Sequence, residues 1–464
     1  MSQRGASGRW SRRCVLAGLA AAGSASVLVD DTTGDAGRAP GAFPTVEPAG
    51  RLDLDGVAEA VVGDDGETVY CALGDGFAVV DASNPFDPTV VHEDRDLRAD
   101  GDAYSRMVSV MDVKVSGDRL LVPGPSAPPE FLSGFFLFDV SDPADPERVA
   151  FQDLEFGPHN AFVEGEFVYL TGSGEFGEPV VVYDVHDDDD PEEVARWTAA
   201  DADDAWGTVP RTYRNCHDVF VQDDVLYVAY WDAGTWVVDV SDPTDPTAIA
   251  RLGGHDPKYL AALDGLSAEF DELPGNSHSV LPNADASALF VSKEAHDVPT
   301  TLHEGGPGGI ECWDLRALDV DGVEPSVESV LSPPAPRGDR TGSGWTAHNV
   351  GVDGDRLYTS WHGGGVRVYD VADLAEPLLL GEWRDPERTW FWTARPLESG
   401  FVATSYLQPQ YSLRAQRQGD GARLYVFPDP DEDDAVPAPT MDRRPFPDPA
   451  DATDDADAAA DDDE

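Results

Sequence analysis

Gly234-Thr235-Trp236-Val237-Val238-Asp239-Val240-Ser241-Asp242-Pro243-Thr244-Asp245-Pro246 is the stretch from which the architecture can be worked out. Its first half is β-branched and aromatic, as a half-buried strand requires, and its Asp-Pro pairs stop that strand with turn chemistry. The pattern returns as GFAVVDASNPFDP ending at Pro88, GFFLFDVSDPADP at Pro146 and PVVVYDVHDDDDP at Pro191. Weaker copies are GGIECWDLRALDV ending at Val320 and GGVRVYDVADLAEP at Pro377. The anchoring acids are Asp81, Asp139, Asp184, Asp239, Asp314 and Asp370. A second apolar run precedes each copy, as in Thr68–Leu73, Phe167–Thr171, Val225–Tyr230, Ala288–Ser292 and Arg356–Ser360. Earlier still lies a third, such as His217–Val221 or His348–Val352, and a fourth follows the turn, as in Thr247–Leu252. Four short strands per repeat describe a β-propeller blade.

Six copies leave the ends of the chain to be placed. Trp390–Pro396, Gly400–Ser405 and Ala422–Phe427 supply three more strands, and Arg51-Leu52-Asp53-Leu54 resembles the outer strand of other blades. Joining them completes a seventh blade and removes an open sheet edge. The expectation is an all-β, seven-bladed β-propeller over residues 45–430, its composite last blade closed by the N-terminal strand. The fifth blade departs most from the repeat, because Cys312-Trp313-Asp314-Leu315-Arg316 replaces the Asp-Val-Ser-Asp-Pro form.

The segments outside the repeats read differently. Ser11-Arg12-Arg13-Cys14-Val15-Leu16 followed by a small apolar run to Val29 resembles a twin-arginine (Tat) signal peptide, so residues 1–29 are expected to direct export of the folded protein. Residues 30–44 read as a linker and 431–464, ending in DATDDADAAADDDE, as an acidic disordered tail. No further apolar stretch has membrane length.

The chain of 464 residues has 89 acidic and 31 basic residues, a formal charge of −58. Only three of the basic residues are Lys, namely Lys114, Lys258 and Lys293. Such a balance excludes nucleic acid as the main partner, since phosphate binding needs a basic surface. With 41% hydrophobic residues a core can still form. An acidic, Lys-poor surface on a folded body predicts life in concentrated salt, where the Debye length falls to about 3 Å near 1 M. Cys71, Cys216 and Cys312, an odd set without CxxC spacing, read as buried thiols.

The motifs VVDVSDPTDP and LYVAYWDAGTWVVDV resemble the LVIVD-repeat β-propeller family of exported cell-surface and secreted proteins, haloarchaeal ones included. The likeness covers roughly residues 45–430; it implies the fold and no single reaction.

One position recurs at the start of the first strand: His159-Asn160-Ala161, His217-Asp218-Val219, His278-Ser279-Val280 and His348-Asn349-Val350. Glu59, Met111 and Trp392 are taken as its equivalents in the other blades. First strands line the channel of a propeller, so His159, His217, His278 and His348 could converge on a divalent transition metal (Fe, Cu, Zn or Ni), which imidazole suits. The competing reading is a hydrogen-bonding device between blades, spread by repetition. Long insertions at Ala199–Asn215, Gly253–Ser277, Glu294–Gly308 and Ser332–Ala347 fall on the mouth side. There Trp231, Asp232, Glu294, His296, Trp361 and His362 are expected to bind a small molecule or protein partner. Arg211, Arg214, Arg337 and Arg340 read as partners of neighbouring acids, and Asp187–Asp190 as solvated turns. The leading functional expectation is a non-catalytic binding or scaffold module; the alternative is a metalloenzyme, oxidoreductase-like, built on the four histidines.

Overall fold

The computed structural model describes residues 43–99, 106–126, 132–172, 178–187, 190–263, 273–296, 307–318, 325–335, 344–406 and 422–441. The segments expected to be the export signal, most of the linker and most of the acidic tail lie outside them, as do Arg337 and Arg340. The chain forms seven sheets around one axis, a seven-bladed β-propeller. Innermost strands are, in order, Ala60–Val62, Lys114–Ser116, Ala161–Glu164, Asp218–Gln222, Ser277–Pro282, Ala347–Asp353 and Phe391–Leu397. Each continues outward through antiparallel neighbours in sequence order. In the seventh blade the outermost strand is Gly50–Asp53, paired with Arg423–Phe427, so the composite closure is as expected. The fifth blade has its outer strand at Ser326–Leu331.

The repeated Asp has a local cause. Its Oδ1 accepts the amide two residues on, from Ser83, Ser141, His186, Ser241, Arg316 and Ala372 in turn. That Asx turn ends the third strand. Just before the Asp, the pairing of third and fourth strands slips at one place in six blades, as at Val237/Val238 and Leu137/Phe138. A bulge there adds twist. The apolar second and third strands then meet those of the next blade. Phe77, Val79, Leu120 and Phe136 share one such core; Phe290, Ile310, Leu357 and Tyr369 share another.

The expected boundary at 430 needs correction. Asp429 bonds Tyr358 (2.9 Å) and pairs with Arg356 (3.1 Å), and Val436–Pro437 add a fifth strand to blade 6 beside Leu378–Leu379. Thr440 then bridges Leu331, and the Met441 amide donates to Val330 O (2.8 Å), on the outer strand of blade 5. The composition of this segment is acidic, yet its Val, Pro and Thr satisfy sheet edges that would otherwise be open. On the other side Thr45 bridges Glu382, so both ends of the described chain reach the rim of blade 6.

Candidate functional site

Seven inner strands starting side by side impose layers on the channel. The histidine layer is an arc across four consecutive blades. His159 and His217 have ring centroids 4.3 Å apart, His217 and His278 4.0 Å, His278 and His348 4.4 Å. Trp392 continues the arc 4.4 Å from His348, and His362 packs 4.6 Å from the same ring. Two histidines are fixed as Nδ1–H tautomers, because a carbonyl can only accept. His217 donates to His278 O (2.9 Å) and His348 to Trp392 O (2.6 Å), leaving each Nε2 lone pair free. His159 Nδ1 likewise faces a carbonyl, Ser126 O at 3.3 Å, and also meets the Ser126 hydroxyl at 2.5 Å. Burial, joined by the nearby His278, holds His217 and His348 well below the ordinary imidazole range and brings His159 to about 4. These three rings are neutral at pH 7.

Glu294 enters this layer from the connection after Ala288–Lys293. Its Oε1 lies 2.7 Å from His362 Nε2, and His362 Nδ1 lies 3.1 Å from Phe391 O. Its Oε2 is 3.1 Å from His278 Nδ1, but without hydrogen-bond geometry; both His278 nitrogens are buried with no hydrogen-bond partner. Burial opposes ionisation of Glu294, yet His278 and His362 together hold it well below the usual carboxylate range. One ligand atom each from His278, Glu294 and His348 lies within 4.8 Å of the others. Donors around a tetrahedral ion with bonds of about 2.0–2.1 Å stand roughly 3.3 Å apart. Loading would draw them inward, and His278, tied by no hydrogen bond, is the ring able to turn. His159 and His217 extend the arc beside this trio. Glu294 was legible as a mouth residue, but its place between two channel histidines was not.

The residue after three of the histidines belongs to a second layer that stitches blades together, while Ser279 bonds Ser292 within its own blade. Asp112 accepts from Ala161 N (2.9 Å), Asn160 donates to His217 O (2.7 Å) and Asp218 accepts from Val280 N (3.2 Å). Glu59 belongs here, which corrects its expected equivalence to the histidines. Ala60 faces Cys71 as Ala161 faces Leu170, so Ala58 holds the histidine position and Glu59 that of Asn160. Asn349 donates to Glu59, and Arg395 reaches it at 3.0 Å. Lys114 pairs with Asp112 beside them, so this layer is a satisfied network of buried charges. Burial, only partly offset by Lys114, pushes Asp112 up to about 6.

Other expected mouth residues separate by exposure. Trp361 is 0% exposed, with its indole donating to Thr359 Oγ1 (2.7 Å); it is core packing and cannot touch a ligand. Asp232 is likewise fully buried, its Oδ1 3.8 Å from His255 Nε2, so it supports the loop from beneath. Trp231 stacks on His217 at 6.1 Å and 26°, and its φ of 42° is rare for a bulky side chain. His362 is buried against Glu294, and His296 is half-buried two residues beyond it. Arg214 donates to Val209 O (2.9 Å), a structural role. Cys71, Cys216 and Cys312 are buried thiols outside any disulfide, as expected. No helix among the described residues is long and apolar enough to cross a membrane.

Comparison with known proteins agrees with the architecture. The LVIVD repeat matches residues 65–93 and 213–252. No curated protein matches the chain. Among solved structures, the β-propeller domain of Myceliophteria thermophila Cps50 (Swd1) is similar with a TM-score of 0.53 at 10% identity, over 82% of this chain and 99% of that one. A functionally unknown protein from Desulfotomaculum acetoxidans aligns over 69% of this chain and 84% of its own, at 10% identity and a TM-score of 0.44. A protein from Lactobacillus plantarum aligns over 75% and 88%, at 13% and 0.46. The chain is thus a seven-bladed β-propeller carrying LVIVD repeats, a fold that fits a binding or scaffold role.

Proposed function

We propose that this chain is an exported, salt-adapted propeller whose channel mouth binds its ligand at a divalent transition metal held by His278, Glu294 and His348. The observation that carries the reading is the trio itself: three donor atoms within 4.8 Å, one of them on a buried imidazole with no other partner. Leaving a polar side chain buried and unpaired costs about 1–3 kcal/mol, which a bound ion would offset. Two imidazoles and a carboxylate suit Zn, Fe, Ni or Cu. His362 would serve as the outer partner that orients the carboxylate. Three protein donors leave coordination positions open, the arrangement of a site that takes substrate or water rather than a closed structural centre. That favours the metalloenzyme reading, oxidoreductase-like chemistry included, over an inert scaffold. Export through a Tat signal would let the metal be loaded before the folded protein leaves the cytoplasm.

Metal analysis of protein purified in concentrated salt tests this. Stoichiometric metal in the wild type, lost in His278→Ala and Glu294→Gln but kept in His159→Ala and His217→Ala, supports the trio. Loss in His159→Ala and His217→Ala as well returns the site to four histidines. A wild type that takes up none of the four metals overturns the reading.

A further inference from the structure

We infer that Lys293 is the positioning residue of this metal site, joining the three segments that carry its ligands; the inference rests on the metal reading above. Lys293 is 1% exposed, and it is one of three Lys in a chain with 28 Arg. Its Nζ donates to Ser277 Oγ (2.8 Å) and to Pro274 O (3.2 Å), and lies 3.6 Å from Glu311 Oε2.

Contacts of its side chain and backbone reach all three ligand-bearing segments, Glu311 on the third strand standing apart from them. Ser277 precedes His278 on its strand and faces Lys293 in the register. Glu294 follows Lys293 directly, and the Asn276 side chain donates to Glu294 O (3.0 Å). Thr346, two residues before His348, donates its hydroxyl to Lys293 O (2.8 Å). The same lysine therefore fixes the first ligand through its side chain, the second through its peptide link and the third through its carbonyl.

The residue type fits this task. Acceptors from two segments, Pro274 O and Ser277 Oγ on one and Glu311 Oε2 on the other, converge on one point, which a compact ammonium with rotatable donors can serve and a planar guanidinium fork cannot. The space is closed as well: a Cβ on Gly308 would lie 2.1 Å from Lys293 O. Opposite, Trp231 and Ser277 exchange backbone hydrogen bonds of 3.2 and 3.1 Å, so the strand start that carries His278 is gripped from the neighbouring blade too. Lys293 touches no open position of the site and acts only through its neighbours.

The test is a Co2+ titration of the metal-free full chain in concentrated salt, following the visible d–d bands, for wild type, Lys293→Met, Ser277→Ala and the double variant. Partners that orient metal ligands are typically worth 10–100-fold in metal affinity. We expect Lys293→Met to bind Co2+ at least about 10-fold more weakly with a shifted spectrum, beyond any fall in the thermal midpoint of the metal-free protein from leaving Glu311 unpaired. Ser277→Ala should lose affinity by a similar factor, and the double variant no more than either single change. A purely structural lysine would move the midpoint and leave affinity and spectrum alone. Wild-type affinity and bands in Lys293→Met overturn the inference while the metal site stands. No Co2+ binding by the wild type overturns both. If Lys293→Met does not fold, Ser277→Ala decides: weaker binding supports the inference and unchanged binding overturns it.

Discussion

Replacing Arg395 by Ala tests the charged layer beneath the histidines. Arg395 donates to Glu59 Oε1 through Nη2 (3.0 Å) and Nε (3.2 Å), and to Val350 O through Nη1 (2.5 Å). Glu59 is 1% exposed. Burial alone would push its carboxyl up; Arg395, then Lys114 and Asn349, bring it below the usual range. Removing one partner of a buried pair leaves an uncompensated charge, a loss of about 3–5 kcal/mol. A folded body of about 400 residues unfolds with roughly 0.8 kcal/mol/K of entropy, at about 2.1 cal/mol/K per residue. The expected fall in Tm is therefore about 4–6 °C. The sign of the pH dependence also follows. Without Arg395, burial raises the folded carboxyl above its unfolded value, so Arg395→Ala loses stability as pH rises through that interval. Circular dichroism melts in concentrated KCl should show a larger deficit at pH 8 than at pH 5. Replacing both partners, Glu59→Leu with Arg395→Met, should recover much of the loss, since it removes the unpaired charge. An Arg395→Ala protein melting within about 1 °C of wild type at both pH values would refute this account of the layer.

Four further outcomes are expected. Acidification should destabilise the protein, because His159 titrates near 4 when folded and near 6.5 when unfolded. Stability from that one ring is present above pH 6.5 and declines by about 3 kcal/mol as pH falls to 4, read as a falling urea midpoint. Gly365→Ala places a Cβ 2.1 Å from Trp383 O at a φ of 95°, so it should cost about 2–5 kcal/mol in thermal melts. Truncation after Pro430 uncovers the outer strands of blades 5 and 6, and light scattering should detect self-association that the full chain lacks. Dilution from about 2 M to about 0.05 M salt should lower Tm by unscreening the acidic surface; an unchanged Tm would remove the case for salt adaptation.

The repeat made the fold legible because one local device, a strand stopped by an Asx turn, occurs at Asp81, Asp139, Asp184, Asp239, Asp314 and Asp370. Even the composite blade could be read, since Arg51–Leu54 carries the pattern of an outer strand. Misreadings came where geometry departs from counting. Glu59 was placed one position off because the first hairpin of blade 1 closes Gly63 onto Thr68, a longer turn than the one closing Glu164 onto Phe167. The histidine arc was visible as recurrence. Glu294 and Lys293 carry no recurring signal, because the ends of second strands that reach the channel in other blades bring different residues there, Ser126, Trp231 and His362. Trp361 shows the opposite failure: an aromatic residue at a strand end suggests a ligand wall, yet its indole bonds the hydroxyl two residues back and is sealed in the core. The tail was misjudged on composition, which cannot register that Val436 and Thr440 pair with strands although Asp431-Glu432-Asp433-Asp434 stand just before them.

The two ends of the folded chain grip the rim rather than leaving it freely. Tension on the N-terminal end must first part Thr45 from Glu382 before it reaches the Gly50–Asp53 strand that closes the ring. Tension on the C-terminal end must peel Thr440 from Leu331 and then Val436–Pro437 from Leu378–Leu379 before it loads Arg423–Phe427. Each end thus carries a sacrificial joint, and a pull on either is taken up at the periphery. The closure of the ring, and the geometry of the histidine arc at its centre, lie behind those joints and bear load only after they yield.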